Sequence, residues 1–218
     1  MTQTITTALH APDPSTRLRA AMAAGTEPDP LLVDDLIARC AVEPDFFVRD
    51  MLTWALTRLP AQVTVPRLVD ELVSDAPQAR SQALHTLSKV GDRSAWPAVT
   101  ADLLHDADPE VARTAWRAAV ALVPAGEELA LAVELARELG RGPIDVQRSL
   151  SRALAALGEA SLDALAMARR HRAPRVRAHA PATAPILDAP DSDFAYELER
   201  ATKLTNPVVP EHDSSTPC

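Results

Sequence analysis

A pattern of apolar and polar positions recurs along most of the chain, and its clearest copy spans residues 48–60. Counted from Val48 as position zero, an arginine stands at +1 and an apolar residue at +4. Small or apolar residues follow at +7 and +8, a large apolar residue at +11 and a proline at +12. Apolar residues three or four positions apart fall on one face of a helix. The copy therefore predicts one amphipathic helix that ends at its proline.

The same pattern starts again at Ala79, Ala112 and Val146, after intervals of 31, 33 and 34 residues. A proline precedes position zero by two to four residues in every copy, including weaker ones near the chain ends: Pro14, Pro44, Pro77, Pro109, Pro143 and Pro174. Proline fits the first turn of a helix, where its missing N–H is not needed. Between the copies, second helices are predicted in residues 30–41, 62–74, 94–105, 126–139 and 159–172.

Repeated helix pairs at this period are typical of a solenoid, in which each pair packs on its neighbours. The predicted fold class is all-α, a right-handed α-α superhelix of about six helix pairs. We expect this solenoid domain to span residues 13–203, between a disordered N-terminal lead in residues 1–12 and a disordered C-terminal tail in residues 204–218.

The sixth copy contains Pro181 and Pro185 at positions that should be helical. Because an interior proline costs a helix about 3 kcal/mol, we expect a broken helix or a loop there. Residues 191–203 are predicted to be helical again, with Phe194 and Leu198 on one face.

The proline, the arginine at +1 and the apolar offsets together resemble the HEAT repeat, and the best copies read PDFFVRDMLTWALTRLP and DPEVARTAWRAAVALVP. In that family the +1 arginine often meets an aspartate from a neighbouring turn. The resemblance therefore implies structural pairs of Asp45 with Arg49, Asp75 with Arg80, and Asp108 with Arg113. The fourth copy departs from the pattern, because Gln147 stands at its +1 position.

Composition and charge narrow the functional classes. The chain has 30 acidic and 22 basic residues and a formal net charge of −8, which argues against broad nucleic-acid binding. No stretch of apolar residues is long enough to predict a membrane span, and the N-terminus lacks the pattern of a secretory signal. We therefore expect a cytoplasmic protein without membrane association. Cys40 is interpreted as a small buried residue.

The resemblance implies a scaffold or adaptor, although a few similar arrays are enzymes: phycobilin lyase subunits, alkylpurine DNA glycosylases and deoxyhypusine hydroxylase. The last of these binds a di-iron centre through His-Glu dyads, and this sequence contains no His-Glu pair. It also lacks a glycine-rich phosphate loop and zinc-ligand spacing. His105, Asp106 and Asp108 could ligate a metal, but an aspartate at that turn fits better as a helix cap. We expect no catalytic residue, no metal site and no cofactor.

Carboxylates recur at one position of the second helices, just before a large apolar residue: Asp35, Glu71, Asp102 and Glu134. In HEAT-like arrays the second helices line the concave surface, so the resemblance implies an acidic ladder with a spacing of about 8–10 Å. The first hypothesis is therefore a non-catalytic interaction module or adaptor. Its acidic concave face would bind a basic patch or segment of a protein partner.

A basic cluster follows near the C-terminal end of the repeats: Arg169, Arg170, Arg172, Arg175 and Arg177. The acidic C-terminal helix, an acidic partner or a phosphate could each neutralise it. The second hypothesis is a lyase-like enzyme or cofactor chaperone that holds a small acidic or prosthetic ligand at this cluster. A third is a nucleic-acid binder that uses only this basic end.

Overall fold

The computed structural model describes residues 2–189 and 192–205, and these ranges are helical without a β-strand. The α-helices are α1 Thr2–Leu9, α2 Pro14–Thr26, α3 Val33–Val42, α4 Phe46–Arg58, α5 Ala61–Glu71, α6 Pro77–Val90, α7 Ala101–Leu104, α8 Pro109–Leu122, α9 Glu128–Ala136, α10 Ile144–Ala156, α11 Leu162–Ala168, α12 Pro174–Asp188 and α13 Phe194–Thr205. Three short 3₁₀ helices span Pro30–Leu32, Arg93–Ala98 and Gly158–Ser161. The succession of helix pairs confirms the all-α prediction and is consistent with an α-solenoid.

The chain forms two compact units, residues 1–131 and residues 132–218. In the first unit α2 packs on α4 and α6 packs on α8, while α3 and α5 pack against α6. Trp116 is fully buried there, and its Nε1 donates a hydrogen bond to the carbonyl oxygen of Leu104 at 2.8 Å. This first unit is therefore built from first helices that pack on one another and second helices that cover them.

In the second unit α12 packs on α10, α11 and α13. Ala182 and Ile186 of α12 form an apolar cluster with Phe194 of α13, and Leu198 packs against it. This packing confirms the predicted helix near residues 191–203 with Phe194 and Leu198 on its buried face. A single solenoid domain over residues 13–203 stays a prediction, and the predicted tail beyond Thr205 lies outside the described residues.

The arginine at +1 donates hydrogen bonds to backbone carbonyls of the turn that precedes its helix. Arg49 Nη1 donates to the carbonyl oxygens of Glu43 and Pro44, both at 2.8 Å. Arg17, Arg80 and Arg177 bond in the same way to the carbonyls five and six residues before them. The predicted side-chain pairs of Asp45 with Arg49 and of Asp75 with Arg80 were wrong, because these turns present carbonyl oxygens to the guanidinium instead.

Two of these arginines also pair with a carboxylate 26 residues later, in the turn before the next first helix. Arg80 pairs with Asp106 at 2.9 Å, and Arg17 binds both carboxylate oxygens of Glu43 at 2.7 and 2.8 Å. Burial alone would raise the pKa of Glu43, but the hydrogen bonds from Arg17 and from the N–H of Asp45, with the charge of Arg39, lower it to about 2. These pairs tie consecutive repeats together.

Aspartates also cap the first helices, as the sequence analysis expected for Asp108. Asp108 accepts hydrogen bonds from the N–H groups of Glu110 and Val111 at the start of α8. Asp45 accepts one from the N–H of Val48 at the start of α4. Capping satisfies N–H groups that have no partner inside the helix, so these carboxylates have a structural role.

The N-terminal lead expected in residues 1–12 is instead occupied by helix α1. Ile5 and Leu9 are buried against the first unit, and the hydroxyls of Thr2 and Thr6 donate to Asp29 and Asp35. The sequence did not predict this helix, because it is rich in threonine and only two of its residues, Ile5 and Leu9, are buried.

Two expectations about helix continuity also differ from the structure. The second helix predicted over residues 94–105 is divided at Val99 and Thr100 into a 3₁₀ helix, which contains Pro97, and the single turn α7. Conversely, Pro181 and Pro185 lie inside the unbroken helix α12. Burial of Ala178, Ala182 and Ile186 along α12 offsets the hydrogen bonds that the two prolines remove.

Candidate partner-binding surface

The second helices of the first unit carry a group of carboxylates, here called the acidic second-helix surface: Asp34, Asp35, Asp70, Glu71 and Asp102. Asp35 lies on α3 and Glu71 is the last residue of α5, and these two helices pack on each other. Asp102 lies on α7, which follows the 3₁₀ helix that contacts α5. Three of the four predicted ladder residues therefore lie on consecutive second helices of one unit.

These carboxylates differ in how far the protein already satisfies them. Asp35 accepts a hydrogen bond from the hydroxyl of Thr6 at 2.5 Å. Asp34 lies 3.2 Å from Arg67, but both side chains are more than half exposed, so the pair contributes at most about 1 kcal/mol. Asp70, Glu71 and Asp102 form no side-chain hydrogen bond or ion pair with any described residue. These three are the members with charge available to a partner.

Glu134, the fourth predicted ladder residue, forms an ion pair with Arg137, three residues further along the chain. It lies on α9 and is half-buried, and Arg137 Nη1 donates to its two carboxylate oxygens at 2.9 and 3.2 Å. It belongs to residues 132–218, the second unit. Its place in a common ladder with Asp35, Glu71 and Asp102 stays a prediction.

The two units differ in charge. Residues 1–131 contain 18 acidic and 11 basic side chains, whereas residues 132–218 contain 12 acidic and 11 basic ones. Most of the net charge of −8 therefore belongs to the unit that carries the acidic second-helix surface. A field of this sign attracts cations and basic segments and speeds their association.

The basic cluster lies at the end of α11 and the start of α12. Arg169, Arg170, Arg172 and Arg175 are exposed, and Arg177 donates to the carbonyls of its own turn. In the described part of α13, Glu197 pairs with Arg200 and Glu199 pairs with Lys203, both at 2.7 Å. Among the residues that the structure describes, the cluster therefore forms no ion pair with the C-terminal helix.

Two grooves adjoin this cluster within the second unit. One, of about 740 Å³, is lined by Arg169, Arg177 and Arg200 together with Pro181 and Pro185. The other, of about 250 Å³, is lined mainly by apolar side chains, including Val133, Met167 and Val176, with His171 at its wall. Met167 is 63% exposed. Arg169 and Arg177 of the cluster therefore line the larger groove, whereas no arginine of the cluster lines the apolar one.

Groups that could support catalysis or metal binding are few. Cys40 is 4% exposed, and burial raises the pKa of its thiol to about 12, which excludes a thiolate nucleophile at neutral pH. Residues 2–189 and 192–205 contain no cluster of His, Cys, Asp and Glu side chains with metal-binding geometry. None of the helices in these ranges has both the length and the hydropathy needed to cross a bilayer.

The sequence did not indicate a third groove, because Thr53 and Arg117 stand at position +5 of their repeats but Leu84 stands there in the copy between them. It lies between α4, α6 and α8 of the first unit and includes Thr53, His85 and Arg117. Periodicity singles out positions that keep one type of residue, and position +5 does not. A polar residue facing inward at +5, as Thr53 does, is the one feature of the sequence that could have indicated it.

The similarity of this chain to known proteins is distant. No family model matches the chain, and no curated protein matches it significantly. Among solved structures, human deoxyhypusine hydroxylase in complex with glycerol is 17% identical, with 94% of each chain covered and a TM-score of 0.47. The complex of CpcE and CpcF of phycocyanin lyase from Nostoc sp. is 19% identical, with 94% of this chain and 95% of that chain covered and a TM-score of 0.40. An engineered protein is 18% identical, with 94% and 96% covered and a TM-score of 0.48.

Proposed function

We propose that the chain is a HEAT-like, non-catalytic interaction module that binds a basic segment of a protein partner on its acidic second-helix surface. The observation that carries the proposal is the set of carboxylates without a described partner, Asp70, Glu71 and Asp102, on successive second helices. Glu71 and Asp102 stand at the same position of their helices, directly before a large apolar residue, and Asp70 precedes Glu71.

Charge complementarity would act mainly on the rate and selectivity of binding. The excess of acidic residues in residues 1–131 steers a basic segment toward this unit. Each exposed ion pair then contributes about 0.2–1 kcal/mol, so several pairs are needed for a specific complex. A segment with lysine or arginine at several positions meets this requirement.

Charge reversal tests the proposal in affinity purification. The double variant Glu71→Lys and Asp102→Lys should lose the partner that the unmodified chain captures, because two attractive contacts become repulsive. The matched control, Glu159→Lys and Asp163→Lys, makes the same charge change in the second unit and should retain that partner. Retention by both variants, or a captured partner without a basic segment, would contradict the proposal.

A second candidate function rests on the grooves beside the basic cluster. An anionic ligand with an apolar body could place its charge near Arg169 and Arg177 and its apolar part against Pro181 and Pro185, which line the same groove. This arrangement supports the lyase-like or cofactor-chaperone alternative, because pockets for such ligands combine apolar walls with a few polar groups.

A titration with a fatty acid and with the matching fatty alcohol tests this second candidate. The acid should bind and the alcohol should bind at least about tenfold more weakly, since one charge-assisted hydrogen bond is worth about 1.5–3 kcal/mol. Arg169→Gln combined with Arg177→Gln should remove that preference, while Arg152→Gln, at an exposed position of α10, should keep it. Equal binding of the two ligands would rule this function out.

A further inference from the structure

A polar groove opens between the first helices of the first unit, where α4 faces α6 and α8. Helices α6 and α8 lie close together, and the hydroxyl oxygens of Ser81 and Thr114 are 3.3 Å apart across their contact. Helices α4 and α6, in contrast, touch at few positions. The resulting groove has a volume of about 310 Å³, enough for about ten water molecules at about 30 Å³ each.

The groove carries more positive than negative side chains. Arg49, Arg113 and Arg117 line it together with two carboxylates, Asp50 and Glu110. Glu110 is already bonded to Arg113 at 2.8 Å. These five side chains carry three positive and two negative charges, which favours an anion over a cation in the groove.

Arg117 has few hydrogen-bond partners among the described residues. One of its terminal nitrogens, Nη2, donates to the hydroxyl of Thr114 at 3.1 Å, and no described carboxylate pairs with it. Its pKa is lowered, first by desolvation and then by the charge of Arg113, with Glu110 opposing both. An anion beside Arg117 would stabilise its charged guanidinium, which burial and the charge of Arg113 destabilise.

Thr53 supplies a second, independent indication of a ligand. Its side chain lines the groove and is 4% exposed, and its hydroxyl oxygen has no hydrogen-bond partner among the described residues. Buried helical threonines elsewhere in the chain donate to the carbonyl four residues earlier, as Thr86 and Thr114 do. A buried hydroxyl without a partner is costly unless something else accepts its proton.

His85 completes the polar wall. It is half-buried, and its ring forms no hydrogen bond with a described residue. Its pKa is lowered by burial and by the charges of Arg117 and Lys89, with Asp50 acting in the opposite direction. The ring is therefore neutral near pH 7 and has one N–H to donate.

We propose that this groove binds a small carboxylate, which accepts hydrogen bonds from the guanidinium of Arg117 and from the hydroxyl of Thr53. The carboxylate group can belong to a free small molecule or to the C-terminus of a peptide. The groove shares no residue with the acidic second-helix surface and takes a ligand of opposite charge, so the two proposals stand or fall separately.

Titration of the isotope-labelled full chain, followed by NMR, tests the site with N-acetylglycine and with its neutral amide. N-acetylglycine at millimolar concentration should shift the resonances of Thr53 and His85, and the amide should not. Arg117→Gln and Thr53→Val should each raise the Kd about tenfold, because each removes a hydrogen bond to a charged group. Arg93→Gln, an exposed arginine outside the groove, should leave the Kd unchanged.

An N-acetylated alanine tetrapeptide with a free C-terminus distinguishes the two ligand sources. Tighter binding of the peptide than of N-acetylglycine assigns the site to peptide C-termini, and equal binding assigns it to free carboxylates. If Arg117→Gln does not fold, Thr53→Val decides the matter, because a methyl group in place of an unpartnered hydroxyl should leave the chain as stable as before. Equal shifts with the amide, no shifts at all, or unchanged binding by Thr53→Val would overturn the proposal.

Discussion

His179 shows how one buried side chain can make stability depend on pH. The ring is completely buried in the second unit and accepts a hydrogen bond at Nδ1 from the N–H of Gly140 at 2.8 Å. With Nδ1 as acceptor, the proton of the neutral ring is on Nε2, which lies 2.8 Å from the hydroxyl of Ser151 and 3.1 Å from the carbonyl of Gln147. Burial lowers the pKa of His179 to about 4, although the carbonyl of Gln147 favours the charged form.

The free energy of unfolding should therefore decrease as the pH falls from about 6.5 to about 4. In this range His179 is protonated in the unfolded chain but stays neutral in the folded chain. The difference between its pKa in the unfolded and folded chains corresponds to about 3 kcal/mol. Urea unfolding at pH 7 and at about pH 4.5 should show a smaller loss for His179→Gln than for the unmodified chain. His171→Gln, at an exposed position, should keep the full loss. Identical losses in all three proteins would contradict a neutral buried ring.

The sequence located residues better than it located their partners. The arginine at +1 was visible in every repeat that has one, but its partners are carbonyl groups, which no sequence pattern displays. The carboxylate partner of Arg17 is Glu43, a residue 26 positions away that the repeat alignment did not single out. Thr53 and Arg117 were missed for a related reason, because the groove depends on how closely three helices approach one another.

At the scale of elements, α12 tests the competition between helix propensity and packing. Pro181 and Pro185 cannot donate backbone hydrogen bonds inside this helix, yet it continues to Asp188. Pro181→Ala restores an N–H that can reach the carbonyl of Arg177. We expect it to raise the free energy of unfolding by about 1–2 kcal/mol, less than the full difference in propensity because proline also restricts the unfolded chain.

Pro174→Ala is the matched control for this prediction. Pro174 opens α12, where no intrahelical bond is lost to proline, so its replacement should change the free energy of unfolding by less than about 0.5 kcal/mol. Thermal or urea unfolding of both variants measures the difference. A Pro181→Ala variant that is no more stable than Pro174→Ala would mean that Pro181 does not destabilise this helix.

The first helices were predictable because three local features agree in each of them: a proline at the start, an apolar face and a breaker at the end. The second helices have fewer such features, and in the structure they are shorter than predicted or divided, as at Val99 and Thr100. The α1 helix contains neither of the two signals, a proline at the start or a breaker at the end. Its formation depends on the packing of Ile5 and Leu9, which the sequence does not show. Local pattern therefore predicted the repeat, and tertiary contact decided its ends and exceptions.

At the scale of the whole molecule, acidic and basic side chains are distributed unevenly along the chain. Residues 1–131 hold the excess of acidic side chains, and the basic cluster lies in residues 132–218. We propose a basic protein segment as the partner of the acidic second-helix surface. For the groove lined by Arg169, Arg177 and Arg200, an anion is the candidate ligand. The sequence predicted both regions from composition and register. It gave no indication of which carboxylates lack partners, because that depends on contacts such as the bond between Thr6 and Asp35.

Binding of a lysine- and arginine-rich peptide to the full chain, measured by fluorescence anisotropy, tests the central claim most directly. A peptide with glutamine in place of every basic residue serves as the neutral ligand, and Glu159→Gln with Asp163→Asn serves as the control protein. The basic peptide should bind more tightly than the neutral one, and added salt should weaken it. Glu71→Gln with Asp102→Asn should raise its Kd about tenfold, since two ion pairs of up to about 1 kcal/mol each are removed. Equal binding of the two peptides, or an equal loss in the control protein, would contradict an acidic docking surface on the second helices.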